Sequence, residues 1–542
     1  VPVRVDKLNN IWAKFVWLGR SETESTYANP LSYLDGNFAI YTPNYKFDKR
    51  YKNRKITRYD GKLHVFKKIY GALPLGLVPE AVKLLKASSF EVEVSDDIKT
   101  SFLEDNINYD EIDSFIDNFA KLNGFNPYDF QINGFKLAIK KKRLLFESPT
   151  GSGKSVLIYL LIRYLMHLNK DKDFKVLLLV PNVALVTQMY RDFKSYKWNN
   201  IDKYVGLYDS EFTASEKADA LTKPVMIAVY NSIDGLLSKD KEFCNRFNMV
   251  MLDEAHRAKK DGKTLLGVLN SCINAEYRLG FTGTIPEEPL YVKTLEGAFG
   301  KKIILAETKD LQDRGILAKA NIVEVMLPYD LKSIKFMKQN DIKFDEEVEL
   351  LRLNKSKLWT ISNLINSGKI TPKQNTLILC SKIENGELDD IVKHINKYHP
   401  QFTTEIIYGG IKKTKRDAII TSMNDREGVI LVATYTTMST GINIKKLHNC
   451  IFASSLRSYE TIVQSIGRIL RLHETKDFAT IYDLVDDLSI LKRTGNMWRS
   501  RVNLQYIARH GYYLKKKFNI ETLTLNHTFS IINTLNELSK GQ

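Results

Sequence analysis

Cysteine is scarce in this sequence. The four present, Cys244, Cys272, Cys380 and Cys450, are widely spaced and form no CxxC pair, which argues against a zinc site or a disulfide framework and fits a reducing compartment. Long apolar runs are missing as well. None approaches the roughly 20 residues that carry a helix across a bilayer, so no membrane role is expected. The opening residues, VPVRVDKLNNIWAKFVW, hold no secretory apolar segment, and the cytoplasm is the expected location. No repeat period and no low-complexity tract is visible. Negative charge is in deficit: 63 Asp and Glu face 80 Lys and Arg, a formal net charge of +17. That excess favours a polyanionic partner, of which nucleic acid is the commonest, although a membrane surface or no specific partner would fit the total too.

What is present divides the chain. Its 542 residues are too many for one core, so several domains are expected. Residues 1–120 are rich in Tyr, Phe, Lys and Arg and read as a small α+β module. Its stretch YTPNYKFDKRYKNRKITRYDGKLHVFKK (41–68) interleaves basic and aromatic side chains, which suits DNA contact by stacking and backbone pairing but also a solvated sheet face. Short apolar runs at 143–146, 175–180, 225–229, 248–252 and 277–281 alternate with amphipathic stretches, the pattern of a parallel α/β sheet. A second set lies at 321–327, 375–381, 403–408, 428–434, 449–454 and 478–486. The expected architecture is α/β: the N-terminal module, two tandem parallel-sheet domains over 121–317 and 318–490, and a short, basic, helical extension over 491–542.

TGSGKS (150–155) sets the chemistry. It follows the strand at 143–146 and precedes VLIYLLIRYLMHL (156–168), dense enough in large apolar residues to be a buried helix. Strand, loop and helix N-terminus in that order form a phosphate cradle, because free backbone N–H groups and the positive helix end face the anion. Thr150, Gly151, Ser152 and Gly153 form the loop, and its glycines let the backbone approach with no Cβ in the way. Lys154 is placed for the β and γ phosphates and the Ser155 hydroxyl for Mg2+, so ATP and Mg2+ are the expected cofactors. Ser148 stands where the first glycine of such loops usually lies.

Other segments complete a hydrolytic set. In MLDEAH (251–256), Asp253 is expected to hold the metal and Glu254 to deprotonate the attacking water. His256 has no partners at metal-ligand spacing and is expected to hydrogen-bond toward the other domain. TGT (282–284) follows a strand and reads as a coupling turn. The second strand set has no phosphate loop, but it carries TYTTMSTGINI (434–444) and YETIVQSIGRILR (459–471). There Gln464, Arg468 and Arg471 fall near helical spacing, and the arginines would stabilise charge developing on the γ-phosphoryl. Salt-bridged surface arginines are the plain alternative. The segments 180–189 and 228–237 each place a helix N-terminus after a strand, suitable for backbone phosphates. Gln131, upstream in NPYDFQINGFKLAI (126–139), could read the adenine edge.

Taken in order, these motifs resemble those of the superfamily 2 helicases and translocases over about 125–490. PTGSGKS is similar to the Walker A motif in its form without a leading glycine, DEAH to Walker B, TGT to the third motif, STGIN to the fifth and QSIGRILR to the sixth. Within the superfamily, RYDGKLHVFKKIYGALPLGLV (58–78), STGINIKKLHN (439–449) and VNLQYIARHG (502–511) are similar to the phage T4 UvsW family of branched-DNA helicases. The resemblance implies two RecA-like domains and an ATP-driven motor that migrates branches, regresses forks and unwinds R-loops or D-loops in phage recombination, repair and replication. It implies forked or branched DNA as preferred partner, then single strands, RNA–DNA hybrids and recombination or single-strand-binding proteins. A monomeric motor is expected because both sides of the site lie in one chain, and the host cytoplasm is expected if the chain is phage-encoded. By the same carry-over Lys154 and Ser155 bind phosphate and metal, Asp253 and Glu254 complete the site, Arg468 and Arg471 contact the γ-phosphate with Gln464 beside them, and Gly441 of STGIN joins the nucleotide-binding set. Two departures stand out: FQ replaces the usual YQ at Gln131, and QSIGRILR differs from the QRxGRxGR of RNA-processing DEAH helicases. The motor subunit of a restriction system, an RNA helicase, and an annealing protein with an ATP switch stay open as alternatives.

Overall fold

The structure is a computed structural model, and it describes the chain except residues 1, 19–28, 105, 260–261, 286–287, 382–385, 439–443, 477, 493 and 541–542. The chain forms two compact units. One is Val1–Pro149 with Gly153–Ala306; the other is Glu307–Gln542 with the loop residues Thr150–Ser152.

The first unit begins with a small sheet. Strand Val3–Lys7 pairs antiparallel with Trp12–Trp17 and parallel with Val92–Val94, while Ala72–Pro74 flanks Trp12–Trp17. Period-2 alternation sets the faces: Val3, Val5, Ala13 and Phe15 are buried while Arg4 and Lys14 are exposed. Helices Pro30–Asn37 and Val78–Ala87 supply Leu34, Ala81 and Leu85 to the same core. A two-stranded ribbon, Ala39–Tyr41 with Lys62–His64, carries much of the basic, aromatic stretch. The module packs on backbone of the same unit. A Cβ at Gly76 would strike the carbonyl oxygen of Glu296, and Lys293 pairs with Glu80 at 2.5 Å.

The seven-stranded sheet of this unit runs Lys302–Ile304, Arg143–Glu147, Tyr277–Thr282, Met249–Asp253, Val176–Val180, Val225–Val229, Val205–Tyr208, every pairing parallel. Helices on both faces bury the central strands Val176–Val180 and Val225–Val229 completely, which is why VLLLV and VMIAV read as unbroken apolar runs. Each fully buried Leu or Val there contributes about 1.5–3 kcal/mol relative to exposure. In register, Glu147 pairs with Thr282 and Asp253 with Phe281, so three strands end together at one carboxyl edge. Ligands of open α/β sheets bind at that edge.

The second unit has its own seven-stranded parallel sheet: Thr403–Ile407, Val429–Thr434, Thr376–Cys380, Asn449–Phe452, Phe478–Asp487, Lys319–Pro328, Asn519–Thr524. The expected α/β class and tandem RecA-like sheets are therefore present. The last residues bring more than helix: besides Arg501–Lys515 and Ile531–Lys540, they supply the edge strand Asn519–Thr524. No described helix is long and apolar enough to cross a membrane.

Candidate active site

The phosphate loop joins strand Arg143–Glu147 to helix Lys154–Leu168. Gly151 and Gly153 have φ of +87° and +77°, the left-handed region that favours glycine. Gly153 also has no room for a side chain, because a Cβ there would collide with the Gln131 amide. The loop start is pinned to the sheet: the Ser148 N–H donates to the Thr282 carbonyl at 2.9 Å. At the helix N-terminus Lys154 Nζ donates to the carbonyls of Ser148 (3.0 Å) and Pro149 (3.2 Å), so the ammonium lies over the loop. Ser155 Oγ is 2.8 Å from the Tyr196 hydroxyl. When Ser155 donates that bond, its lone pairs stay available on the loop side. Burial, reinforced by Asp192, pushes the Tyr196 hydroxyl up to about 12, so it stays neutral.

Gln131 sits three residues into its helix, buried, with Oε1 accepting from the Tyr128 N–H at 2.8 Å and Nε2 donating to the Gly153 carbonyl at 3.2 Å. Its amide thus ties the start of helix Asp129–Lys141 to the phosphate loop.

Across the edge, Asp253 ends its strand with a buried carboxylate that accepts from the Glu254 N–H at 2.9 Å. Burial, with the Glu254 charge beside it, pushes Asp253 up to about 7, while Lys154, the Glu254 N–H and His256 pull it down. Glu254 is held at φ +56°, a conformation costing a side-chain-bearing residue about 1–3 kcal/mol and typical of functional sites. Its Oε2 lies 3.3 Å from His256 Nδ1, which is 3.0 Å from Thr282 Oγ1. Thr282 donates its one hydroxyl proton to the Thr284 carbonyl at 2.6 Å. His256 Nδ1 must therefore carry the proton and donate it to Thr282, with Glu254 as the second acceptor. His256 bridges the DEAH segment to TGT within one sheet.

The structure thus gathers Gln131, Gly153, Lys154, Ser155, Asp253 and Glu254 at one sheet edge of the first unit. Hard oxygen donors, the Ser155 hydroxyl and the Asp253 carboxylate, match a small divalent cation, and a buried carboxylate that is costly to ionise alone fits a site that takes one up. Gln464 and Arg468 lie four residues apart on helix Tyr459–Ile469 of the second unit, both buried, and Arg471 follows the helix end. Gly441, with the rest of STGIN, lies outside the described residues. Two contributors went unread in the sequence. Tyr196 has no motif around it and reaches Ser155 only through the fold. The Thr282–His256 link was hidden because nothing in the sequence sets which strands are neighbours.

A model of the type III restriction enzyme res subunit family matches residues 112–287, and one of the helicase conserved C-terminal domain matches residues 356–473. The ATP-dependent DNA helicase uvsW of Enterobacteria phage T4 is 26% identical over 499 residues, 90% of this chain and 94% of that protein. The chain belongs to the superfamily 2 helicases. This helicase is an ATP-dependent enzyme. It is also 26% identical, over 353 residues, to the XPB helicase/translocase subunit of transcription and repair factor IIH of Dictyostelium discoideum, covering 63% of this chain and 41% of that one. Among solved structures, the DUF1998 helicase MrfA bound to DNA matches the helicase with a TM-score of 0.54 at 14% identity, over 78% of this chain and 55% of that chain. That likeness is one of fold.

Proposed function

We propose that this helicase is a DNA motor whose substrates are forks, four-way junctions and displaced-strand loops, and whose action is branch migration and unwinding. The observation that carries the reading is the N-terminal module. Between residues 39 and 70 it holds ten Lys and Arg against two Asp, with five Tyr, nearly half of the chain's excess positive charge. Tyr41 stacks on Tyr45 at 4.4 Å, and Arg50 lies over the Tyr59 ring at 4.4 Å, so the ribbon is a braced, cationic and aromatic surface. Such a surface meets phosphates and bases together. The DNA helicase uvsW of a phage, 26% identical over 90% of this chain, supports DNA as the polymer and a phage setting, and a role in recombination or repair in the host cytoplasm is proposed with it. A single chain carries the whole motif set, which supports a monomeric motor.

In this reading ATP lies on the loop formed by Thr150, Gly151, Ser152 and Gly153, with Lys154 on its β and γ phosphates. Mg2+, held by Ser155 and Asp253, would shield phosphate charge. Glu254 takes the proton of the attacking water, and the His256 N–H keeps its carboxylate in place. Gln131 keeps the loop in register with the upstream helix. Gln464, Arg468 and Arg471 are assigned on their motif, the arginines to charge on the γ-phosphoryl, and Gly441 on STGIN.

The test is a synthetic four-way junction with a mobile core. The wild type with ATP should migrate it to products, and Glu254→Gln should bind it without migrating it. Brisk ATP hydrolysis on linear duplex with a stationary junction would contradict the proposal. That outcome fits the second reading, a translocating subunit of a restriction system, which the res-subunit match favours.

A further inference from the structure

Ile69 is 92% exposed, more than any other large hydrophobic side chain among the described residues, and its neighbour Tyr70 is 72% exposed. Both sit at the tip of the turn that joins strand Lys62–His64 to Ala72–Pro74. Singly exposed apolar residues on loose loops are ordinary. This turn is not loose. The Lys67 and Ala72 backbones exchange hydrogen bonds of 2.7 and 3.2 Å, Tyr70 N–H donates to Lys67 O at 2.9 Å, and Gly71 N–H to Lys68 O at 3.1 Å. The Phe15 N–H then ties the Gly71 carbonyl to the small sheet at 2.7 Å. Gly71 has φ +60°, and a Cβ there would strike the Phe15 carbonyl, so only glycine lets the turn come this close. Beneath it, fully buried Phe66 packs edge-to-face on Phe15 at 5.9 Å. The fold holds an aliphatic and an aromatic side chain out in water on a rigid base.

Lys67 and Lys68, both exposed, precede them on the same turn. Two apolar side chains are too small an area to anchor a protein partner, but they match the flat face of a base pair. Proteins that open or kink nucleic acid insert such side chains between bases while cations hold the flanking phosphates.

We propose that this tip is the strand-separating wedge: Ile69 and Tyr70 cover the last base pair at the branch point, and Lys67 and Lys68 take the adjacent phosphates. The proposal rests on the reading of the chain as a branched-DNA helicase. It goes further by naming the residues that touch the opening pair.

The test uses the full chain and a forked DNA with 2-aminopurine at the branch, reading its fluorescence and the base pairs moved per ATP hydrolysed. With Ile69→Ala/Tyr70→Ala the 2-aminopurine enhancement should vanish and the base pairs moved per ATP should fall about tenfold, the scale of one base stacked on a side chain. A mere loss of affinity would instead lower hydrolysis and unwinding together, leaving their ratio unchanged. Ile69→Leu/Tyr70→Phe should keep both signals. If the wild type moves the branch and the alanine variant keeps its ratio and fluorescence, the wedge assignment falls while the branched-DNA reading stands. If the wild type moves no branch, the reading falls and the wedge with it.

Discussion

The roles proposed for Glu254 and Lys154 divide chemistry from binding, and their variants should divide the kinetics in the same way. Glu254→Gln keeps the size and hydrogen-bonding shape of the side chain but cannot take a proton. Its kcat for ATP should drop about 10²–10³-fold with KM little changed, measured as steady-state phosphate release. His256→Ala removes the donor 3.3 Å from Glu254 and leaves the carboxylate, so a smaller loss of about tenfold is expected. Gln131 shows how far one residue can be read from sequence. Its position upstream of the loop was legible, but its amide is engaged with the Tyr128 N–H and the Gly153 carbonyl, and that depends on where the helix starts. Lys476 gave no signal at all. Burial, with Arg471 next, lowers its amine to about 7, and it donates to the carbonyls of Ile469 at 2.7 Å and Lys445 at 3.1 Å. A neutral amine still has two protons for those two acceptors. Between about pH 7 and the ordinary lysine value of 10.5 the unfolded chain binds the proton and the folded chain does not, so this group makes stability rise with pH. Lys476→Met should flatten the rise in Tm between about pH 7 and 9.5; an unchanged slope would show that the amine stays charged.

Among the elements, the helix Arg501–Lys515 is fixed to the second sheet by an ion pair at its base. Arg509 donates to both carboxylate oxygens of Asp483 at 2.9 Å, reaches Ser455 and Leu456, and shares Asp483 with the Tyr513 hydroxyl. Arg509, Asp483 and Tyr513 are all fully buried or nearly so. Asp483→Asn strands a guanidinium in a dry interior and should destabilise the second unit by about 3–5 kcal/mol, read as a fall in its urea midpoint. An apolar exchange of both partners should cost far less. The elements legible in the sequence were those buried on both faces, since VLLLV and VILVAT have no other use for so many large aliphatic residues. Those overlooked lie at or next to sheet margins. Val205–Tyr208 and Lys302–Ile304 are short, and Gly206 serves a close approach to Ala220 that no pattern announces. Asn519–Thr524 is an edge strand with mostly exposed side chains, so its polar alternation is like that of a loop.

For the whole molecule, the motor motifs were readable because each pairs a local geometry with a residue type, whereas the proposed DNA surface was readable only as a stretch of interleaved basic and aromatic residues. The +17 net charge predicts DNA affinity that falls steeply with salt. Changing Lys46, Lys49, Lys52 and Lys55 to Gln should flatten that slope by up to about 0.9 for each phosphate no longer neutralised, measured by fluorescence anisotropy across a salt series. The central claim, an ATP-driven motor for branched DNA, is tested most directly by steady-state ATPase rates. These are compared without polymer and with linear duplex, single strand, forked DNA, a four-way junction and structured RNA, with Lys154→Ala as the inactive control. The account predicts the strongest stimulation by forked or four-way DNA and none in the variant. Stimulation by RNA alone, or by no polymer, would contradict it.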